Sequence, residues 1–245
     1  MAGHSKWAKL KHFKGAIDAK RARIFAKLAR EVMIAARAGG GDPDLNPRLR
    51  MVLLKCRSAN MPSENIERAI KKGTGDTGGQ AYEELTYEIF GPNSVAILVE
   101  ATTDNRNRTT AEIRNLLTKH GGRMATAGAV SRLFKRQGQM LLPREAVDED
   151  KLLEWALEAG AEDVRTEATH YEILTDPSSF EAVHKQLESK GLKFASAEVT
   201  YLAVQTVPVT DPASVQALNA LVEALEEHDD VKEVHTNADL PEDSA

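Results

Sequence analysis

The chain has 245 residues and a single cysteine, Cys56. That excludes an internal disulfide and a cysteine-built zinc cage, and it fits a reducing compartment. No apolar run approaches the ~20 residues a membrane-spanning helix needs, so no membrane partner is expected. The basic N-terminus lacks the hydrophobic stretch of a secretory signal, and a cytoplasmic protein is expected. The seven histidines are scattered without the paired helical spacing of metal ligands, which predicts no metal site. Neither Gly39–Gly41 nor Gly73–Gly79 belongs to a GxxxxGK[ST] loop, so nucleotide hydrolysis has no support. No cofactor and no small-molecule substrate are implied.

Hydrophobic residues make up 42% and charged residues 28%, enough apolar side chain for folded cores at a length that suggests two or three modules. The net charge of −5 conceals a strong asymmetry. Residues 1–72 hold 17 Lys and Arg against 6 Asp and Glu, and residues 73–245 hold 15 against 31. Within the acidic part, residues 104–136 reverse the sign locally with 8 basic and 2 acidic residues. Segregation of this kind is the footprint of a polyanion binder. The bland alternative is a solvated basic face with no partner.

Residues 1–72 read as helical. Ile17, Ile24, Phe25, Leu28, Val32, Ala35 and Ala36 share one face of a helix over 17–38. Lys20, Arg23, Lys27, Arg30 and Arg37 fall on a neighbouring arc of about 100°. Gly39-Gly40-Gly41 ends this helix, and Asn46-Pro47 opens the next, with Leu49, Val52, Leu53 and Cys56 as its buried stripe. A third helix is expected over 62–72, closed by Gly73, with Gly73–Gly79 as a linker.

Strand-like segments follow at 85–90 and 95–102, joined by the turn Gly91-Pro92-Asn93. Thr109-Thr110-Ala111-Glu112 is a capping box, predicting a helix that runs to His120, and 129–134 is expected as a strand. Segments 140–142, 151–159, 163–167, 170–174, 180–190 and 194–200 then read strand, helix, strand, strand, helix, strand, the ferredoxin-like order. A last helix at 213–227 and strand at 231–236 are too little to fold alone and are expected to complete the earlier sheet. The expected fold is therefore multidomain α+β. A basic helical bundle (1–78) precedes two α+β domains, a discontinuous one (79–137 and 201–245) and a ferredoxin-like one inserted in it (138–200).

Two constellations carry candidate binding chemistry. The N-terminal arm interleaves His4, Lys6, Lys9, Lys11, His12 and Lys14 with Trp7 and Phe13, cations for phosphates and rings for unpaired bases. The rings serve equally well to pin the arm to the helical core. The arm continues into the helical rail, where Lys20, Arg21, Arg23, Lys27 and Arg30 are candidate phosphate contacts. The second constellation is Asp104-Asn105-Arg106-Asn107-Arg108-Thr109, between a strand and a helix N-terminus, where Arg106 and Arg108 converge with free N–H groups. Arg123, after Gly121-Gly122, is a third candidate there. Glu88, Glu100 and Asp104 admit the weaker reading of a metal-dependent nuclease.

Met1-Ala2-Gly3-His4-Ser5-Lys6-Trp7 with Lys11-His12 resembles the start of the YebC/PmpR family. The likeness continues through Ala35-Ala36-Arg37, Gly39-Gly40-Gly41-Asp42-Pro43, Asn46-Pro47-Arg48-Leu49-Arg50, and Asn60-Met61-Pro62 with Asn65-Ile66-Glu67-Arg68-Ala69-Ile70. Thr103 to Thr109 and Lys119-His120-Gly121-Gly122 complete it. The resemblance implies a helical bundle with two α+β domains, a cytoplasmic location and a DNA-binding transcriptional regulator. Family members, mitochondrial ones among them, are also described as acting on translating ribosomes. The chain departs from the family at Phe13, where arginine is usual, and at Asn93-Ser94, where glycines are usual. The expected function is a non-enzymatic nucleic-acid-binding regulator of gene expression. Its partner is DNA, structured RNA, or the ribosome in the alternative of a translation factor contacting rRNA and tRNA.

Overall fold

A computed structural model describes residues 18–75 and 82–241, with the side chains of 18–20 outside the description. In chain order the helical part contains α1 (Asp18–Gly39), α2 (Pro47–Ser58) and α3 (Ser63–Thr74). Then come β1 (Glu83–Phe90), β2 (Ala96–Thr103), α4 (Arg106–Lys119), β3 (Arg123–Met124) and β4 (Phe134–Pro143). They are followed by α5 (Glu149–Ala159), β5 (Asp163–Thr166), β6 (His170–Thr175), α6 (Phe180–Ser189) and β7 (Ser196–Ala203). The chain closes with β8 (Val207–Pro208), α7 (Pro212–Glu227), β9 (Val231–Thr236) and β10 (Ala238–Asp239). The architecture is mixed α+β. It divides into two compact units, one of residues 18–75 with 136–200 and one of 82–135 with 201–241. Among the described residues no helix is long and apolar enough to cross a membrane.

Local chemistry accounts for the helical part. Gly40 adopts φ +86°, a conformation that costs a side-chain-bearing residue about 1–2 kcal/mol, and so α1 stops there. Asn46 then joins two helices. Its Oδ1 accepts the Leu49 N–H at 3.0 Å, capping α2, while its Nδ2 donates to the carbonyls of Ala35 and Gly40, both at 2.8 Å. Leu28, Val32 and Ala35 meet Leu49, Val52 and Cys56, with Met61 and Ala69 closing the core. Gly73 departs from expectation. It lies inside α3 rather than after it, at the point where α3 touches α1, and a Cβ there would stand 2.5 Å from the Met33 carbonyl oxygen. Its smallness, not its turn-forming freedom, is what the site requires.

In the same unit the sheet order is β5-β6-β4-β7. Met140, Leu142, Tyr171 and Ile173 from the strands pack under Leu152 and Ala156 of α5 and Phe180, Val183 and Leu187 of α6. Helix α2 is braced on this layer. Met51 and Leu54 add to its core, Lys55 Nζ lies 2.7 Å from Glu198, and Arg50 grips Glu181 with two N–H groups at 2.6 and 3.0 Å. A third arm of the Arg50 guanidinium donates to the carbonyls of Pro43 and Asp44, holding the loop that links α1 to α2.

The other unit is built on the sheet β3-β1-β2-β9. Tyr87 and Ile89 of β1, Ile97 and Val99 of β2, and Val231 of β9 face Ile113 and Leu117 of α4 and Leu218, Leu221 and Leu225 of α7. The alternate residues Phe90, Ala96 and Leu98 turn to the opposite face, against Val130, Phe134 and Tyr201. The segment expected as a strand over 129–134 instead curls into a short 3-10 turn at Ser131–Leu133. The Glu88 carboxylate causes this by gathering the N–H groups of Gly128, Val130 and Ser131 at 2.7, 2.6 and 2.9 Å. Amides committed to one carboxylate are lost to a strand ladder, and β4 begins only at Phe134.

Candidate nucleic-acid interface

The segment 103–110 is a helix start rather than a loop. Asn105 Oδ1 accepts the Arg108 N–H at 3.1 Å, so α4 begins at Arg106, earlier than the capping box at Thr109 predicts. Beneath this first turn lies a buried polar knot. The Thr109 hydroxyl lies 2.7 Å from the Thr103 hydroxyl and donates to Asp230 Oδ2, also at 2.7 Å. Arg108 Nη2 donates to the same Asp230 oxygen at 2.8 Å and to Asp104 Oδ1 at 3.0 Å. Burial pushes the Asp230 carboxyl up. Hydrogen bonds from Thr109 and Arg108, and the Arg108 charge, outweigh it and hold the group below the usual aspartate range. His228 Nδ1 accepts the Asp230 N–H, so its hydrogen sits on Nε2, 2.9 Å from Glu112.

This geometry separates two arginines that the sequence treats alike. Arg108 is engaged by carboxylates on both sides and fastens α4 to the turn between α7 and β9. Arg106 is exposed and makes no ion pair among the described residues. Arg123 is brought to neither. It pairs with Phe90 in the β3–β1 ladder, and its guanidinium lies 4.9 Å from the Phe90 ring, on the sheet face turned away from α4. In α1, Arg21 is exposed over the Phe25 ring at 5.7 Å, while Arg23, Lys27 and Arg30 are half-buried along the helix. The side chain of Lys20 and the arm residues His4, Lys6, Trp7, Lys9, Lys11, His12, Phe13 and Lys14 lie outside the described residues. Exposed cations that the periodicity argument passed over include Arg48 and Arg57 of α2 and Arg68, Lys71 and Lys72 of α3. Their sequence signals were the basic balance of residues 1–72 and the basic last turns of α2 and α3.

Comparison with known proteins now decides the family. The model of the TACO1/YebC N-terminal domain matches residues 5–76, and that of the TACO1/YebC second and third domain matches residues 82–238. The chain belongs to the TACO1/YebC family. It is 51% identical to a protein of Halothermothrix orenii over 99% of this chain and 97% of that one. It is 50% identical to one of Dictyoglomus turgidum over 99% and 98%. Both are described as a "Probable transcriptional regulatory protein". The crystal structure of a conserved hypothetical protein from Aquifex aeolicus superposes with a TM-score of 0.83 at 46% identity, covering 92% of this chain and 93% of that one.

Much of the TACO1/YebC signature in this chain is explained by architecture. Asn46 is a two-helix clasp. Asn60, in Asn60-Met61-Pro62, adopts φ +54° in the link between α2 and α3, a conformation asparagine tolerates better than most residues. At the departure Asn93-Ser94 both residues hold left-handed φ of 56° and 58°, so the turn keeps a glycine-like path without glycine. The acids considered for metal chemistry are drawn apart. Glu88 binds backbone amides; burial raises its carboxyl, but those three N–H groups prevail and lower it. Asp104 pairs with Arg108. Glu100 lies 3.1 Å from His235 Nε2 and 3.6 Å from Lys232 Nζ. The fold does gather His235 with Glu100 and Glu233, their ligand atoms lying within 4.8 Å of one another. Linear spacing could not show this, because β2 and β9 are far apart in sequence. In a second group, Glu112, His228 and Asp230, both acids already pair with the Arg108 guanidinium, at 4.0 and 2.8 Å.

Proposed function

We propose that the chain is a non-enzymatic regulator of gene expression that binds nucleic acid, and specifically a cytoplasmic DNA-binding transcriptional regulator. The observation that carries the reading is the surface of residues 21–75. It exposes Arg21, Arg37, Arg48, Arg57, Arg68, Lys71 and Lys72 against only Asp42, Asp44, Glu64 and Glu67, in a protein whose net charge is −5. The description of the relatives as transcriptional regulators supports it. The contacts are assigned to the arm (His4 to Lys14), to Lys20, Arg21, Arg23, Lys27 and Arg30, to the exposed Arg68, Lys71 and Lys72 of α3, and to Arg106 and Arg123 as separate outposts. Arg108 is assigned to the polar knot. The proposed layout has three parts: a helical domain (1–78), a discontinuous α+β domain (79–137 and 201–245), and a ferredoxin-like domain (138–200) inserted in it. The β5-β6-β4-β7 order supports the last.

The test is binding of the full-length protein to labelled duplex DNA across a salt series. Phosphate contacts release counterions, so affinity should fall steeply with salt, and Arg68→Glu with Lys71→Glu and Lys72→Glu should lower both affinity and salt slope. A salt-independent affinity, or one indifferent to these three reversals, would sink the reading. Sedimentation with ribosomes and absence from crosslinked chromatin would replace DNA by rRNA and tRNA. Cleavage of duplex, single-stranded or junction DNA in magnesium or manganese, lost on Asp104→Asn, would replace a regulator by a nuclease.

A further inference from the structure

Helix α4 presents a face that folding does not explain. Ile113 and Leu117 point into the core and Thr109 into the polar knot. On the outward side stand Asn107, Ala111, Arg114, Asn115 and Thr118, all exposed. A merely solvated helix face usually carries Glu and Lys in i,i+4 pairs and strong helix formers. This one carries two asparagines and a threonine, each about half a kcal/mol or more worse than alanine in a helix. Among the described residues neither the Asn107 nor the Asn115 amide makes a hydrogen bond within the chain, and Arg114 makes no ion pair. The only acid of α4, Glu112, lies on the flank, held by His228 at 2.9 Å.

We infer that the outward face of α4 reads base edges in the major groove of B-form DNA. The inference rests on the DNA-binding reading above and names a surface of its own for it. Amide and guanidinium groups are the side chains that make paired hydrogen bonds to adenine and guanine edges. Ala111 at the centre of the face leaves room for the helix to approach closely. A 14-residue helix is about 21 Å long and, with its side chains, about 10–12 Å across, matching a groove about 12 Å wide. Arg106 in the first turn and Lys119 in the last stand at the two ends, where a helix in the groove meets phosphates. Charge favours the same occupant. Residues 104–136 carry 8 basic against 2 acidic residues within a part of the chain that is otherwise acidic, so a polyanion approaching residues 73–245 is steered to this segment. The support is rigid, because Asn105 caps the helix, Asp230 binds its first turn and the Tyr87 hydroxyl lies 3.0 Å from that of Thr110. Duplex RNA is the poorer fit, since its major groove is deep and too narrow for a helix.

The experiment uses the full-length protein and a randomised DNA duplex of about two helical turns, from which preferred sequences are selected. Ala111→Glu puts a carboxylate at the centre of an exposed face without breaking the helix, and it should weaken binding to the selected duplex about tenfold or more. Asn107→Ala with Asn115→Ala should cut the preference for selected over scrambled duplex by about tenfold while leaving the salt slope unchanged, because bases and not phosphates are lost. Circular dichroism checks that both variants keep the native helix content. Wild-type binding by the Ala111→Glu protein, or an undiminished preference in the asparagine variant, overturns the inference and leaves the DNA-binding reading standing. Equal loss on RNA and DNA duplexes also overturns it, showing a phosphate contact without groove reading. If the wild-type protein binds no duplex DNA even at low salt, both readings fall together.

Discussion

Replacing Gly73 by alanine sets two opposed effects against each other. In an open helix interior the change stabilises by about 1 kcal/mol, because glycine has more backbone freedom to lose. Gly73 is buried, however, and its added Cβ would stand 2.5 Å from the Met33 carbonyl oxygen, 2.9 Å from the Ala36 Cβ and 3.0 Å from the Met33 Cα. Comfortable contact begins near about 3.5 Å, so α1 and α3 must separate by most of an ångström. The obstacle is the backbone of α1, which no rotamer change can move aside. Overpacking of this kind costs about 1–3 kcal/mol, and the upper part of that range applies. The steric effect therefore wins, with a net loss of about 1–2 kcal/mol. Hydrogen exchange reads it locally: amides of α1 and α3 should lose about tenfold in protection while those of β1 and β2 stay as they were. Adding Ala36→Gly should recover only part, since the Met33 oxygen remains in the way. Unchanged or increased protection of α1 and α3 in Gly73→Ala would refute the argument.

The turn at Asn93-Ser94 makes the opposite prediction: both residues hold left-handed φ, so Asn93→Gly and Ser94→Gly should each raise the melting temperature, by up to about 1 kcal/mol of stability, and a lower one would contradict the strain assigned there. Asp230 has a carboxyl pKa lowered by folding, so its contribution is fully present above the ordinary aspartate value of about 3.9 and is lost as pH falls through the folded value. Asp230→Asn should therefore destabilise at neutral pH and flatten the acid-unfolding curve, and parallel curves for the two proteins would show that the carboxylate is not the titrating group. Burial raises the Cys56 thiol to about 11, so a thiol reagent at neutral pH should modify it only after denaturation. Rapid labelling of the native protein would place Cys56 outside the core.

What the sequence determined by itself was whatever depends on near neighbours. Asn46-Pro47 predicts the start of α2 and Gly39-Gly40-Gly41 the end of α1, because capping and left-handed backbone are decided within one turn. The strand expected over 231–236, half of whose residues are β-branched, is β9 with the bounds the structure shows. The polarity of the chain, basic before residue 73 and acidic after it, is a count and needs no fold. Contacts across the fold were another matter. Arg106 and Arg108 are indistinguishable in a list of cations, and only the return of the chain at Asp230, 122 residues later, turns Arg108 into a fastening. Gly73 reads as a helix end until α1 is found lying against it. Glu88 reads as an acid at a strand end until a later loop folds its amides around the carboxylate. Even the outward face of α4 became visible only once α7 and β3 showed which side of the helix was left over. In each case the deciding partner is distant in sequence, and charge and periodicity say what a side chain offers, while the tertiary contacts decide whether the protein itself has already taken it.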